Sequence, residues 1–226
     1  MKVKFLPYKF LQFVCFIAFS IFMYQSIAHD TPEETAENLF KITPTLYSAG
    51  VYKEMYSMVQ NPTNNLRREA GSPFFAKGIP LYIEGHVYDI SNIPIEDVTI
   101  EIVQANHYGV YNFMIDEDSA LHDPYFLSFG RSVTNNVGEY SFLTIIPGFY
   151  ERRAPHIHLL IKHSKFEFET EMFFQNHPRN KKDPKFTKLN HHQRNAVTAK
   201  VYYVDSRNLQ MGMRAIFDIY INYSFT

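Results

Sequence analysis

The chain has 226 residues, which suits one domain, or one domain with an extension, and is long enough to bury a substantial core. Its 22 basic and 23 acidic residues give a formal net charge of −1; that balance argues against a nucleic-acid or anionic-membrane partner and leaves small molecules as the default. The single cysteine, Cys15, excludes a disulfide framework and zinc-thiolate chemistry.

Residues 1–28 read as a secretory signal peptide. Lys2, Lys4 and Lys9 form a basic start, residues 10–22 are an apolar run broken only by Gln12 and Ser20, and Ser26-Ile27-Ala28 fits a small-x-small cleavage site. The run is short for a membrane span, so a retained anchor is the lesser alternative. Cleavage after Ala28 removes three lysines, no acid and Cys15, leaving an exported protein, periplasmic or secreted, free of the membrane and with a net charge of −4. Without disulfides such a protein relies on its core, and an aromatic content of 16% can supply one.

Residues 29–77 read as a helical extension and linker. Thr31-Pro32-Glu33-Glu34 offers an N-cap, a proline in the first turn and two acids, and predicts a helix to about Lys41. Tyr52, Met55, Tyr56 and Val59 recur at helical spacing and predict a second helix over 49–60, a stripe of the kind that packs on a core. The helical stretch is a candidate dimer or domain-covering element, and hence a route to a homo-oligomer. The polar residues 61–68 read as a linker.

From Gly78 onward the pattern has period two, the signature of an all-β domain over 78–226. Strands are predicted over 81–88 and 98–103, joined as a hairpin through Ser91-Asn92-Ile93-Pro94. Further strands follow at 139–145, 155–162, 166–174, 197–205 and 213–223. Seven or eight strands of this length argue for a β-sandwich or barrel rather than an α/β sheet. Two longer irregular stretches, 106–129 and 175–195, are the places where a β scaffold usually carries a site. The second is rich in Lys and Arg and reads as a solvated loop, with His191-His192 on its surface.

The chemistry concentrates in Tyr150-Glu151-Arg152-Arg153-Ala154-Pro155-His156-Ile157-His158. In a strand, His156 and His158 share one face and Ile157 points to the other, so two imidazoles on a rigid element offer half a metal site. Tyr150 ends the Ile146-Pro147-Gly148-Phe149 turn and can lie beside the histidine strand. Periodicity alone does not pair Tyr111 with it, and tyrosines in so aromatic a chain are mostly core residues.

Several segments in order resemble the intradiol ring-cleavage dioxygenases, nearest the protocatechuate 3,4-dioxygenase branch and its exported single-domain type. They are Gln104-Ala105-Asn106-His107-Tyr108-Gly109-Val110-Tyr111, Gly130-Arg131, Thr144 to Tyr150, Arg153 to His158, Met172-Phe173-Phe174 and His177-Pro178-Arg179-Asn180. The likeness covers about half the chain. It implies a non-haem iron(III) held by Tyr111, Tyr150, His156 and His158, a catecholic substrate and O2, and ring cleavage between the two hydroxyl-bearing carbons to a muconate-type diacid. Tyr150 would be the axial phenolate that the catechol displaces and that takes a substrate proton. Arg153 would stabilise negative charge on the ring. A hard ferric ion suits such oxygen donors and lowers a phenol's pKa.

Glu171 departs from the resemblance, since the family more often has a glutamine there. A carboxylate at that position would disfavour a catecholate unless it is protonated or turned away. The competing reading is a non-catalytic exported β-sandwich binding protein, either transthyretin-like or an inactive iron- or catechol-binding relative. Zinc hydrolysis lacks a third histidine or a placed carboxylate.

Overall fold

Residues 41–47 and 62–223 are described by the structure, a computed structural model; the predicted signal segment, both predicted N-terminal helices and the cleavage site lie outside them. The period-two alternation becomes nine strands: β1 (Pro80–Tyr88), β2 (Thr99–Val103), β3 (Phe129–Val133), β4 (Glu139–Ile145), β5 (His156–His163), β6 (Phe166–Phe174), β7 (Thr198–Tyr203), β8 (Met213–Ile216) and β9 (Ile219–Tyr220). They pair in the order β3-β2-β5-β6-β7-β8-β1-β4, with β9 also on β1. Helix is scarce among the described residues: one short helix, α1 (His191–Ala196), and a few single turns.

Two halves, β3-β2-β5-β6 and β7-β8-β1-β4 with β9 on β1, meet where β6 and β7 pair over only Phe173–Thr198 and Phe174–Ala199. One apolar core lies between them: Leu81, Ile83, Phe142 and Ala215 from one half pack with Ile100, Ile102, Ile157, Leu159, Ile161 and Met172 from the other. The result is mostly β, a barrel-like sheet that is nearly closed. The remaining gap, between β3 and β4, is filled by residues 63–66. Leu66 N donates to Leu143 O (2.7 Å), Leu143 N to Asn64 O (2.8 Å) and Arg131 N to Thr63 O (3.0 Å). That stretch reads as a linker from its polarity, yet Leu66 is fully buried in the core. The backbone bonds it supplies cap two sheet edges that would otherwise be left open.

Four other expectations need correction. The 81–88 and 98–103 strands do not form a hairpin, since β1 pairs with β4, β8 and β9, and β2 with β3 and β5. The turn between them is real: Asp89 Oδ1 accepts from Ser91 N and Ile93 N, and Asn92 has φ +59°. Beyond it, burial of Ile95 and Val98 takes the chain across the core to the other half. The predicted 213–223 strand breaks into β8 and β9, because Phe217 O turns to accept from the buried Tyr140 hydroxyl and Asp218 Oδ1 accepts from His86 N. The 106–129 irregular stretch ends in β3, a five-residue strand too short and polar to show an alternation. The 175–195 loop holds three short helical pieces, Pro178–Lys182, Phe186–Lys188 and α1.

Candidate metal centre

β5 is buried on both faces, and its period of two sorts its side chains. Ile157, Leu159 and Ile161 enter the main core, whereas His156 and His158 point the opposite way, beneath the loops. His158 is in register with Val103 of β2 on one side and Glu171 of β6 on the other, and His156 with Phe173. Both imidazoles are almost wholly buried. Phe173 stacks on His156 with ring centroids 5.7 Å apart, and Phe186 closes on Phe173 at 5.0 Å.

Two turns bring the tyrosines to this face. Asn106 O accepts from Gly109 N (3.0 Å) and from Gly148 N (2.9 Å), which ties the turn before Tyr111 to the turn before Tyr150. Only glycine suits position 109: its φ is +83°, and an added Cβ would lie 2.1 Å from Phe149 O. Gln104 is buried behind them, donating to Ile145 O (3.0 Å) and accepting from the Thr144 hydroxyl (2.8 Å). Tyr111 and Tyr150 meet edge-on with centroids 5.7 Å apart, and Tyr111 is 6.3 Å from the His158 ring. The four side chains singled out in sequence, Tyr111, Tyr150, His156 and His158, thus come together.

The donor set can be tested for fit to a cation. His156 Nδ1 lies 2.7 Å from Ala154 O, an acceptor only, so the ring proton sits on Nδ1 and Nε2 carries a lone pair. His158 Nδ1 faces Glu171 Oε1 at 3.4 Å, which favours the same tautomer. Yet the two Nε2 atoms are only 3.3 Å apart, and the Tyr150 hydroxyl lies 3.3 Å from His156 Nε2. The Tyr111 hydroxyl is buried and, among the described residues, has no hydrogen-bond partner of ordinary geometry. The Tyr150 hydroxyl can donate to His156 Nε2, but the second Nε2 lone pair facing the first and the unpartnered Tyr111 hydroxyl would both be satisfied by a cation among them, so the residues fit a hard cation.

The electrostatics agree. Burial pushes His156 down to about 4, against the pull of Glu171, and burial, then the neighbouring His156, push His158 well below the usual imidazole range, so both rings are neutral at ordinary pH. Burial, then the neighbouring Tyr150, push the Tyr111 phenol far above its usual range. Burial also raises Tyr150, more than Tyr111 and Arg153 lower it. Without a cation both remain protonated; a bound metal reverses that preference.

Behind the histidines lies a charged network that sequence only partly shows. Glu171 and Asp183 are fully buried. Arg153 bonds to both, through Nη2 to Glu171 and through Nε to Asp183 Oδ2 (2.8 Å), and Lys185 Nζ donates to Glu171 Oε1 (2.5 Å). Burial opposes the Arg153 charge, but Glu171 and Asp183 outweigh it and hold the guanidinium charged. Burial would also raise Asp183, yet donation from Phe186 N, Arg153 and Ala154 N holds it below the usual carboxylate range. Glu171 is therefore turned to the back of His158 and paired twice. Asp183 has no sequence signal beyond its place before Pro184, and Lys185 is hidden in what reads as a solvated basic run. Arg131 of the Gly130-Arg131 motif sits elsewhere, paired with the buried Glu101 (2.8 Å), and Asn180 braces the loop by donating to Phe174 O (2.9 Å).

Comparison with known proteins places these residues in context. The family model described as Dioxygenase matches residues 52–222. The β chain of protocatechuate 3,4-dioxygenase from Burkholderia cepacia is 35% identical over 118 residues, 48% of this chain; the match spans half the length of that relative. Among solved structures, an intradiol ring-cleavage dioxygenase from Tetranychus urticae aligns with a TM-score of 0.60 at 22% identity, covering 80% of this chain and 94% of that one. The dioxygenase domain of a carbohydrate-binding fusion protein from Streptomyces sp. SirexAA-E aligns with a TM-score of 0.59 at 22% identity, covering 81% and 99%. At these identities the solved structures show a shared fold.

Proposed function

This chain belongs to the intradiol ring-cleavage dioxygenase family, and on that premise we propose an iron(III)-dependent enzyme that cuts a catechol between its two hydroxyl-bearing carbons. Tyr111, Tyr150, His156 and His158 would hold the non-haem ion. The observation that carries this reading is the pair of buried imidazole Nε2 atoms 3.3 Å apart, with the Tyr150 hydroxyl at the same distance from one of them. When bound, iron(III) would supply the charge that turns the phenols into phenolates and withdraws electron density from a catecholate, opening its ring to O2.

The chain's own residues divide the remaining work. Tyr111 sits in the small apolar cluster of Val103, Phe129 and Leu160, which suits a fixed anchor. Tyr150 stands on a turn and is only partly buried, so its Oη is the group placed to take a proton from an arriving catechol. Ala154 O holds the ring proton of His156 on Nδ1 and the Glu171 carboxylate favours the same tautomer in His158, so both Nε2 lone pairs face the centre, and with those lone pairs on a cation neither histidine would compete for that proton. Phe173 and Phe186 keep water from the rear of the site. Arg153, though paired with Glu171 and Asp183, still pulls the Tyr150 phenol downward, and its charge would act in the same sense on negative charge developing on the ring. In the net reaction one catechol and one O2 give one ring-opened diacid, with both atoms of O2 in the product.

The signal-like residues 1–28 support export as part of this proposal; a secreted product beginning at His29 would bear it out. The activity is tested by incubating the iron-loaded protein with simple catechols under isotopically labelled O2. A muconate-type diacid carrying both label atoms is expected from the wild type and not from His158→Ala. Iron retained with no turnover of any catechol would instead favour a binding protein.

A further inference from the structure

His158 faces, on its Nδ1 side, an electrically closed group. Glu171 and Asp183 carry two negative charges into the interior, and Arg153 and Lys185 bring two positive ones. A buried carboxylate left unpaired there would be costly and would repel an anionic ligand at the centre. Arg153 alone does not balance both carboxylates, because its single charge is shared between Glu171, through Nη2, and Asp183, through Nε. The second pairing comes from Lys185, whose Nζ reaches Glu171 Oε1 and, at 2.6 Å, also Tyr47 O. Tyr47 belongs to a short segment that bonds to both β6 and β9: Leu46 N donates to Glu169 O (2.8 Å), Thr170 Oγ1 to Pro44 O (2.8 Å) and Thr43 N to Tyr220 O (3.0 Å). Lys185 is thus held at both ends of its reach.

We propose that Glu171 and Lys185 act as one paired positioning device for the metal centre, an inference that rests on the iron-site reading above. Glu171 faces Nδ1 of His158 and so keeps Nε2 aimed at the centre. Lys185 cancels the charge that Glu171 would otherwise present to a catecholate. Neither touches the reacting atoms. The pair allows a carboxylate to stand behind a metal ligand, where it makes the imidazole a stronger donor, without the penalty that an isolated carboxylate would impose on an anionic substrate.

The test is a double-mutant cycle of Glu171→Gln, Lys185→Met and both together, with Lys185→Arg as a charge-conserving fourth variant. Three quantities are measured besides activity: loss of iron to a chelator, the visible charge-transfer band, and the affinity for catechol without oxygen. Glu171→Gln should keep a full complement of iron but lose it roughly tenfold faster, with a shifted band. Lys185→Met should hold iron as firmly as the wild type yet bind catechol roughly tenfold more weakly. The double variant should regain most of that affinity, and Lys185→Arg should retain it, including in the case that Lys185→Met does not fold. Unchanged catechol affinity in Lys185→Met, a double variant no better than its weaker parent, or an unmoved band in Glu171→Gln would each overturn the proposal while leaving the iron site standing. A wild-type protein that cannot take up iron would overturn both.

Discussion

Asp183→Asn is the sharpest perturbation of the network, because all four hydrogen bonds to its carboxylate come from donors. Oδ1 accepts from Lys185 N (2.9 Å) and Phe186 N (3.0 Å), and Oδ2 from Arg153 Nε (2.8 Å) and Ala154 N (2.9 Å). An amide keeps the shape but can accept at only one of the two positions. Whichever way it turns, two donors lose their acceptor and meet another donor inside a fully buried site. Each lost bond to a charged acceptor is worth about 1.5–3 kcal/mol, so two lost bonds predict a destabilisation of about 3–6 kcal/mol. That is a large fraction of the stability of an ordinary domain. Equilibrium urea unfolding of the metal-free protein measures it, and the midpoint should fall with little change in slope. The iron content of folded Asp183→Asn should be normal, since Asp183 bonds to none of the four proposed ligands, while turnover should drop. The variant gives up either the Oδ2 bonds that anchor Arg153 and Ala154 or the Oδ1 bonds that hold Lys185 and Phe186, and in both cases the charge that Arg153 is paired with. A loss below about 1 kcal/mol would refute the reasoning, because it would mean that the buried donors find other partners.

Other expectations follow from the same geometry. Gly109→Ala should force apart the two tyrosine-bearing turns, because its Cβ overlaps Phe149 O. It should cost about 2–4 kcal/mol and most of the bound iron, as read by urea unfolding and metal analysis. His158→Ala or Tyr111→Phe should strip or greatly weaken the iron, whereas Arg153→Ala should retain it with slower turnover; metal content and oxygen uptake separate the two effects. The metal-free protein should lose stability as pH falls from about 6.5 to about 4. His156 takes up a proton near 6.5 when unfolded but only near 4 when buried, so the unfolded state binds the extra proton in that window. The loss is on the order of 3 kcal/mol, levels off for this group below pH 4, and is measurable by urea unfolding at stepped pH.

The alternation of Leu81, Ile83 and Val87 with half-buried neighbours is as plain in the strand as in the sequence, and His156-Ile157-His158 sorts its faces as period two requires. Tyr150 was also within reach, being one turn from the histidines. Tyr111 was not: its place depends on a carbonyl at Asn106 that accepts from glycines 39 residues apart in the chain, Gly109 and Gly148, and only family resemblance pointed to it. The β1–β2 hairpin failed because a correct local turn does not decide which edge the next strand joins; the burial of Ile95 and Val98 does. β3 is not legible because its five residues are too few to show an alternation, and the reason for Gly130 lies outside the strand, in Leu66, whose Cδ1 would be 2.4 Å from a Cβ there. Glu171 is visible in sequence as a charge, but its meaning depends on Lys185 and Arg153, whose pairing is a property of the folded loop and not of any local pattern.

The central claim is an iron(III) bound through phenolates with a position open to a catechol, and visible absorption tests it most directly. The purified protein loaded with iron should show a tyrosinate-to-iron(III) charge-transfer band. The band should shift when catechol is added without oxygen and be lost or strongly altered in Tyr111→Phe. A protein that stays colourless and takes up no iron, with Tyr111 and Tyr150 both intact, would contradict the account.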